Sequence, residues 1–192
     1  MVRGSWDTYD AENSEIAAAA LRFLKISEAS IREALKMRPP CRMEVYDLST
    51  TIIFDVAHNP SGILRLLESL KIKYREIPLQ IVCGFSSNKE ISKCLEVMRD
   101  LAAHVYCVSS DTPRSAKPEL LLNIGQQLGL KSISSEVNIE MGVKKAIHAA
   151  KTSNQIVLIC GSFFIMDQAL KAVGIPTISD NVPLVEHFKS KV

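Results

Sequence analysis

Two amphipathic helices are predicted near the start of the chain. Apolar side chains recur at three- and four-residue spacing through residues 10–25, which is typical of one buried helix face. A shorter helix follows, and Ser27 is a suitable N-cap because its hydroxyl can accept an amide hydrogen bond from the first turn. The Arg-Pro-Pro sequence at 38–40 cannot continue a helix, so we expect a boundary there.

Beyond this boundary, short apolar runs alternate with amphipathic stretches. Strands separated by helices of this length indicate βαβ units and a parallel sheet. Several of the runs are apolar over nearly their whole length, as strands buried on both faces are. The pattern predicts an α/β fold with strands at 51–54, 79–83, 105–108, 131–134 and 156–160 and helices at 61–71, 89–102, 117–128, 139–150 and 163–172.

The composition is that of a folded globular domain. The chain has 192 residues, of which 47% are apolar and 23% charged, so a core can form without disulfides or a metal. A net charge of +2 gives no reason to expect nucleic acid or a membrane as partner. Five scattered cysteines and the lack of a signal peptide predict a cytoplasmic location, with Cys83 and Cys160 as packing residues.

The strongest candidate chemistry follows the first apolar run. Ligands of open parallel sheets bind outside the carboxyl ends of the strands, which is where Asp55 lies. Asn59 can cap the next helix and Pro60 suits its first position, so His58 lies beside a helix N-terminus that favours an anion such as phosphate. The carboxylate of Asp55 can accept two ribose hydroxyls. The alternative is that Asp55 and Asn59 are only turn and cap residues.

Three further polar loops follow predicted strands, at 84–90, 109–114 and 161–162. Four polar loops at one sheet edge favour a binding rim. Arg114 is the arginine among them, and its planar fork of donors suits a carboxylate or phosphate, although it could simply be exposed.

No metal site is predicted, because His104, His148 and His187 lack the spacing of metal ligands. The sequence contains neither the G-x-x-x-x-G-K-[ST] phosphate loop nor G-x-G-x-x-G.

The segment 55–60, Asp-Val-Ala-His-Asn-Pro, resembles the D-x-A-H-N-P signature of the Mur ligase superfamily. The resemblance is greatest to its bifunctional dihydrofolate synthase/folylpolyglutamate synthase branch. Other segments agree in order with motifs of that branch: Tyr9–Asn13 with Y-Q-x-x-N-A, Pro40–Glu44 with P-G-R-x-E, Ser87–Glu90 with D-K-D, Pro113–Ala116 with P-R-A, and Ile159–Phe164 with T-G-S-L-Y.

The resemblance implies part of an ATP- and Mg²⁺-dependent amide ligase. In such a ligase ATP phosphorylates the carboxylate of dihydropteroate or folate, and the amine of L-glutamate attacks the acyl phosphate. The implied fold is a Rossmann-like, mostly parallel sheet with helices on both faces, preceded by two helices. Residues 1–37 would be a helical remnant of the central ATPase domain and 38–192 the glutamate-ligase domain. We expect this chain to be inactive without the N-terminal ATPase domain, which holds the Mg²⁺ ligands.

The resemblance also implies roles for individual residues. Asn13 would contact adenine, Arg42 the phosphates, and Asp55 the ribose. His58 would be catalytic, near the terminal phosphate and the incoming glutamate. Three further positions match rim motifs and are predicted to bind substrate: Lys89, Arg114 and Ser162.

The chain departs from the branch at several motif positions. Cys41 replaces a glycine, which is tolerable only if the position does not need a positive φ. Asp10 stands where the branch has glutamine, and Asn88 where it has aspartate. Two alternatives remain at this point: another Mur-type amino acid ligase domain, or a non-catalytic binding module that retains the fold.

Overall fold

Two helices precede the sheet, as the hydrophobic pattern predicts, and the sheet has six strands rather than the five predicted. The computed structural model of the protein describes residues 8–37, 39–75 and 77–176, with the backbone alone at 8–10. Arg38 and His187 therefore lie outside the described residues. The elements are α1 (Thr8–Phe23), α2 (Glu28–Lys36), β1 (Glu44–Asp47), β2 (Thr51–Phe54), α3 (Pro60–Tyr74), β3 (Leu79–Cys83), α4 (Ile91–Met98), β4 (Ala102–Cys107), α5 (Pro118–Gln127), β5 (Ile133–Ser135), α6 (Ile139–Ser153), β6 (Ile156–Cys160), a 3₁₀ turn (Phe163–Ile165) and α7 (Met166–Ala172).

The sheet has the strand order β1-β2-β6-β3-β4-β5. All neighbouring strands are parallel except β1, which pairs antiparallel with β2 at the edge. The apolar runs did not predict β1, because its four residues, Glu-Val-Tyr-Asp, contain only a two-residue apolar segment between acidic side chains. β4 begins three residues earlier than predicted, since Leu79 of β3 already pairs with Ala102. The described fold is therefore the predicted α/β type with an added edge hairpin.

Helices cover both faces of the sheet. The buried side chains of α3, α4 and α5 pack on one face with Ile53, Ile81 and Leu158, and those of α6 and α7 pack on the other. Cys83 and Cys160 are fully buried, which confirms that they are packing residues. Burial raises the pKa of the Cys160 thiol well above its usual range. In the described part of the chain, no helix has the length and apolar character to cross a bilayer.

The four polar strand-end loops lie together at one edge of the sheet. Backbone hydrogen bonds join neighbouring loops: Gly161 N–H donates to the Ala57 carbonyl at 2.8 Å, and Ala116 N–H donates to Phe85 at 2.8 Å. Because β2, β6, β3 and β4 are adjacent and parallel, their carboxyl ends form one continuous rim. The predicted rim is therefore confirmed as a structural feature.

Gly161 is required where the loop after β6 approaches the loop after β3. Its φ of +102° is a conformation that residues with a side chain rarely adopt. A Cβ atom there would lie 2.6 Å from the Gly84 carbonyl oxygen and 3.1 Å from the Phe85 ring. Both the backbone angle and the close packing therefore exclude a side chain.

Replacing Gly161 by alanine should destabilise the rim. We expect Gly161→Ala to lower the free energy of unfolding by about 1–3 kcal/mol more than Gly129→Ala, because the new methyl group collides with backbone. Gly129 is the matched control, since its φ is +76° but no atom lies within 4 Å of its Cβ position. Urea unfolding of both variants gives the comparison, and equal losses would contradict a steric cause.

A chain of polar groups runs across β4 and β5. Ser134 donates to the Glu136 carboxylate at 2.7 Å, so its oxygen accepts from Nε2–H of His104 at 2.9 Å. Nδ1 of a neutral His104 then accepts from the hydroxyl of Ser132 at 2.6 Å. Lys145 pairs with the other oxygen of Glu136 at 2.6 Å. Burial lowers the pKa of His104, with Lys145 adding to the effect and Glu136 opposing it.

Acidification should therefore destabilise the protein through His104. The unfolded chain takes up a proton near the ordinary imidazole pKa of about 6.5, whereas the folded chain does so only at lower pH. The stability from neutral His104 is present above that value and is lost as pH falls through the folded-state pKa. We expect the free energy of unfolding, measured with urea, to fall less between pH 7.5 and 5.5 for His104→Gln than for the wild type.

His148→Gln is the control for the loss of an imidazole, because His148 is exposed on α6. It should keep the pH dependence of the wild type. If His104→Gln loses as much unfolding free energy on acidification as the wild type, His104 is not the cause of the pH dependence.

Candidate functional site

Asp55 joins two segments at the end of β2. Its side chain is fully buried, and Oδ2 accepts a hydrogen bond from Met43 N–H at 2.8 Å. Oδ1 accepts from Ala57 N–H at 2.7 Å. One carboxylate therefore ties the segment that enters β1 to the segment that leaves β2. Hydrogen bonds to a charged acceptor are stronger than those between neutral groups, so this connection is a firm one.

The segment around Arg42 has an unusual backbone. Cys41 and Met43 on either side of it both have positive φ, at 54° and 46°. The Cys41 N–H donates to Glu44 Oε2 at 2.8 Å, and its carbonyl accepts from Val56 N–H at 2.9 Å. The replacement of glycine by Cys41 is expected to be tolerable only if this position has no positive φ. The structure contradicts that condition, since the φ of Cys41 is positive. Its side chain is instead fully buried, and burial raises its pKa to about 12.

His58 lies immediately before α3, with an exposed ring. Its Nδ1 is 3.0 Å from the Val56 carbonyl, which only accepts, so Nδ1 carries the proton and Nε2 is the acceptor of the neutral ring. Asn59 caps the helix, because its Oδ1 accepts from Gly62 N–H at 2.7 Å. Pro60 occupies the first helical position, as predicted. The positive end of the α3 dipole therefore lies next to His58.

An open cavity of about 290 Å³ lies between α1 and the start of α3. Three residues predicted to bind ATP, Asn13, Arg42 and His58, line it together although they are far apart in sequence. Its polar groups are mainly hydrogen-bond donors and basic side chains, which suit an anion. The remaining lining residues are Val56, Ala57, Asn59, Ser61, Gly62 and Arg65.

Arg65 is a residue that sequence reasoning missed. It also lines the cavity, and its guanidinium pairs with Glu12 on α1. One signal could have found it: residues four positions apart share a helix face, so Arg65 lies on the same side of α3 as Ser61.

Asp55 is not among the residues that line the cavity. Its carboxylate instead lies behind the cavity wall and, by accepting from Met43 N–H and Ala57 N–H, fixes the backbone beside the lining residues Arg42 and Ala57. Its predicted contact with ribose stays a prediction.

The three predicted substrate-binding residues lie elsewhere on the rim. Ser162 is 7% exposed and its hydroxyl accepts from Phe164 N–H at 3.2 Å. The guanidinium carbon of Arg114 lies 5.8 Å from the centre of the Phe164 ring. Lys89 is half-buried in the loop after β3, where its N–H donates to the Ser86 carbonyl. The structure therefore separates them from the cavity but keeps them on the same sheet edge.

Metal ligands are absent from this arrangement. Within residues 8–37, 39–75 and 77–176, no group of three or more His, Cys, Asp or Glu side chains could hold a metal ion. The cavity walls present two arginines, Arg42 and Arg65, whose positive charge disfavours a divalent cation and favours an anion.

Known proteins resemble this chain over most of its length. The Escherichia coli K12 dihydrofolate synthase/folylpolyglutamate synthase is 29% identical over 165 residues, 84% of this chain and 37% of that protein. The Bacillus subtilis protein of the same description is 27% identical over 168 residues, 83% of this chain and 38% of that protein. The chain thus spans between a third and two fifths of the length of these relatives.

A solved structure shows the same fold. The Yersinia pestis bifunctional folylpolyglutamate synthase/dihydrofolate synthase, complexed with AMPPNP and a Mn ion, is 26% identical and superposes with a TM-score of 0.67. The match covers 82% of this chain and 37% of that one. The sequence profile of the family described as "Mur ligase, glutamate ligase domain" matches residues 41–163, which contain the whole sheet and most of the rim. The chain belongs to the Mur ligase family and comprises its glutamate ligase domain.

Proposed function

We propose that the chain is the glutamate-ligase part of an ATP-dependent amide ligase that adds L-glutamate to dihydropteroate or folate. The observation that carries the proposal is the cavity that Asn13, Arg42 and His58 line at the start of α3. The two relatives described above are both named dihydrofolate synthase/folylpolyglutamate synthase, which supports folate as the substrate class.

The cavity is proposed to hold the nucleotide. Arg42 can donate two parallel hydrogen bonds to phosphate oxygens, and the α3 dipole adds favourable potential at the same place. Asn13 reaches the cavity from α1, where its amide could both donate to and accept from adenine. His58 lies beside the helix start and is proposed to contact the terminal phosphate. Its Nε2 can accept a proton, because Nδ1–H is already committed to the Val56 carbonyl.

The proposed reaction has two steps. A substrate carboxylate oxygen attacks the terminal phosphorus of ATP, releasing ADP and leaving an acyl phosphate. The glutamate nitrogen then attacks the acyl carbon, phosphate leaves, and the nitrogen loses a proton as the amide forms. The contribution of this chain is to hold the reacting groups in position and to stabilise the phosphate charge. Arg114, Lys89 and Ser162, on the neighbouring part of the rim, are proposed to bind the substrates, with Arg114 suited to a carboxylate.

The rest of the site is proposed to come from an N-terminal ATPase domain. The 192 residues contain no phosphate loop, and the described residues offer no carboxylate cluster for Mg²⁺. The Mg²⁺ ligands are therefore proposed to lie on that domain. We propose that this chain binds nucleotide weakly and forms no amide bond without it. Purified chain with ATP, L-glutamate and dihydropteroate should give no amide product, and robust turnover would overturn this part of the proposal.

Removing Arg42 should weaken ATP binding. We expect Arg42→Ala to raise the dissociation constant for ATP about tenfold or more, because hydrogen bonds to charged groups contribute about 1.5–3 kcal/mol. His58→Ala should weaken ATP more than AMP, since His58 is proposed to contact the terminal phosphate. Calorimetric titration of each variant with ATP and AMP measures both effects.

Arg99→Ala is the control for loss of an exposed arginine. Arg99 follows α4 at the opposite edge of the sheet and should leave both affinities unchanged. If Arg42→Ala and Arg99→Ala bind ATP equally well, the nucleotide does not occupy the cavity.

Asp55→Asn tests whether Asp55 acts by positioning. The amide lacks one of the two acceptor oxygens, so a buried N–H of Met43 or Ala57 loses its partner at a cost of about 1–3 kcal/mol. We expect lower stability together with weaker binding of both ATP and inorganic tripolyphosphate. Asp47→Asn, at an exposed position of β1, is the matched charge control. Weaker ATP binding with unchanged tripolyphosphate binding would instead support the direct ribose contact.

A further inference from the structure

The positively charged side chain of Arg65 lines the cavity, although Arg65 does not belong to the D-x-A-H-N-P segment. Its side chain is about half exposed, lines the cavity with Arg42 and His58, and donates from Nη1 to Oε2 of Glu12. Glu12 belongs to α1, which lies before the residues that the family profile matches. The ion pair thus connects α1 to α3 at the wall of the proposed nucleotide site.

We infer that Arg65 binds a phosphate of the nucleotide and that Glu12 competes with this phosphate for the guanidinium. The inference rests on the proposed function of the cavity and adds to it a binding residue and an internal competitor. Without nucleotide, Glu12 holds the arginine in place. When a phosphate enters, it takes over the guanidinium.

The strengths of the two interactions favour this exchange. Both side chains of the ion pair are more than half exposed, and solvent screening makes such pairs weak. A phosphate offers more negative charge and more acceptor oxygens, arranged to match the planar fork of an arginine. A phosphate in the cavity would also contact Arg42 and the start of α3. Glu12 does not have these partners, because it is not among the residues that line the cavity.

The competition makes an unusual prediction about Glu12. Loss of a residue beside a binding site commonly weakens binding, but loss of a competitor strengthens it. The Glu12 carboxylate opposes an entering phosphate by occupying the guanidinium of Arg65. Removal of that charge should therefore raise the affinity for phosphate compounds, and only as long as Arg65 is present.

The experiment titrates the full chain with inorganic tripolyphosphate, which carries neither ribose nor adenine. Glu12→Gln should tighten binding about two- to fivefold, the range that an exposed ion pair can contribute. Arg65→Ala should weaken it roughly tenfold. The double variant should bind like Arg65→Ala, because the gain from removing Glu12 depends on Arg65. Thermal unfolding and circular dichroism confirm that each variant is folded.

Glu28→Gln is the matched control, since Glu28 forms a similarly exposed pair with Arg22 and its removal changes the net charge equally. It should change the affinity less than twofold. If tripolyphosphate binding depends on Arg42 but not on Glu12 or Arg65, the inference is wrong and the proposed function stands. If the wild type binds neither ATP nor tripolyphosphate, the proposed function itself fails, and the inference fails with it.

Discussion

The candidate site depends on one buried carboxylate. Asp55 accepts backbone hydrogen bonds from Met43 and Ala57, which lie on separate segments at the carboxyl end of β2. Through Met43 it sets the backbone next to Arg42, and through Ala57 it sets the turn that precedes His58. A buried acceptor with two N–H donors is costly to move, because each donor would lose its partner. The two basic side chains therefore face the cavity from segments that cannot easily shift relative to one another.

Charge is distributed unevenly over the described part of the molecule. The cavity collects Arg42, Arg65 and the start of α3, with Glu12 as the acidic side chain paired at its wall. On β4, next to the edge strand β5, His104 by contrast lies in a chain of neutral and paired groups that ends at Glu136. The cavity presents hydrogen-bond donors that can bind an anion, whereas the polar groups around His104 form hydrogen bonds with one another. This difference is what distinguishes a binding surface from a structural polar network.

The rim also depends on close backbone contacts between loops. Gly161 lets the loop after β6 approach the loop after β3, and its N–H reaches the Ala57 carbonyl beside His58. The cavity proposed to hold the nucleotide and the part of the rim that carries Arg114 are thus linked through backbone hydrogen bonds rather than through side chains. Such a linkage keeps the two parts of the proposed site at a constant separation, which catalysis by positioning would require.

The sequence by itself determined the fold class, the order of most elements and the start of α3, because these follow from local periodicity, caps and proline placement. It also marked Asp55 and His58, since both lie in one short motif. It did not reveal β1, whose four residues gain their strand character only by pairing with β2. Only the tertiary structure decided that Asp55 points into the protein and that Arg65 meets Glu12. Those contacts join residues 12 and 53 positions apart, and no local pattern encodes the folding that brings them together.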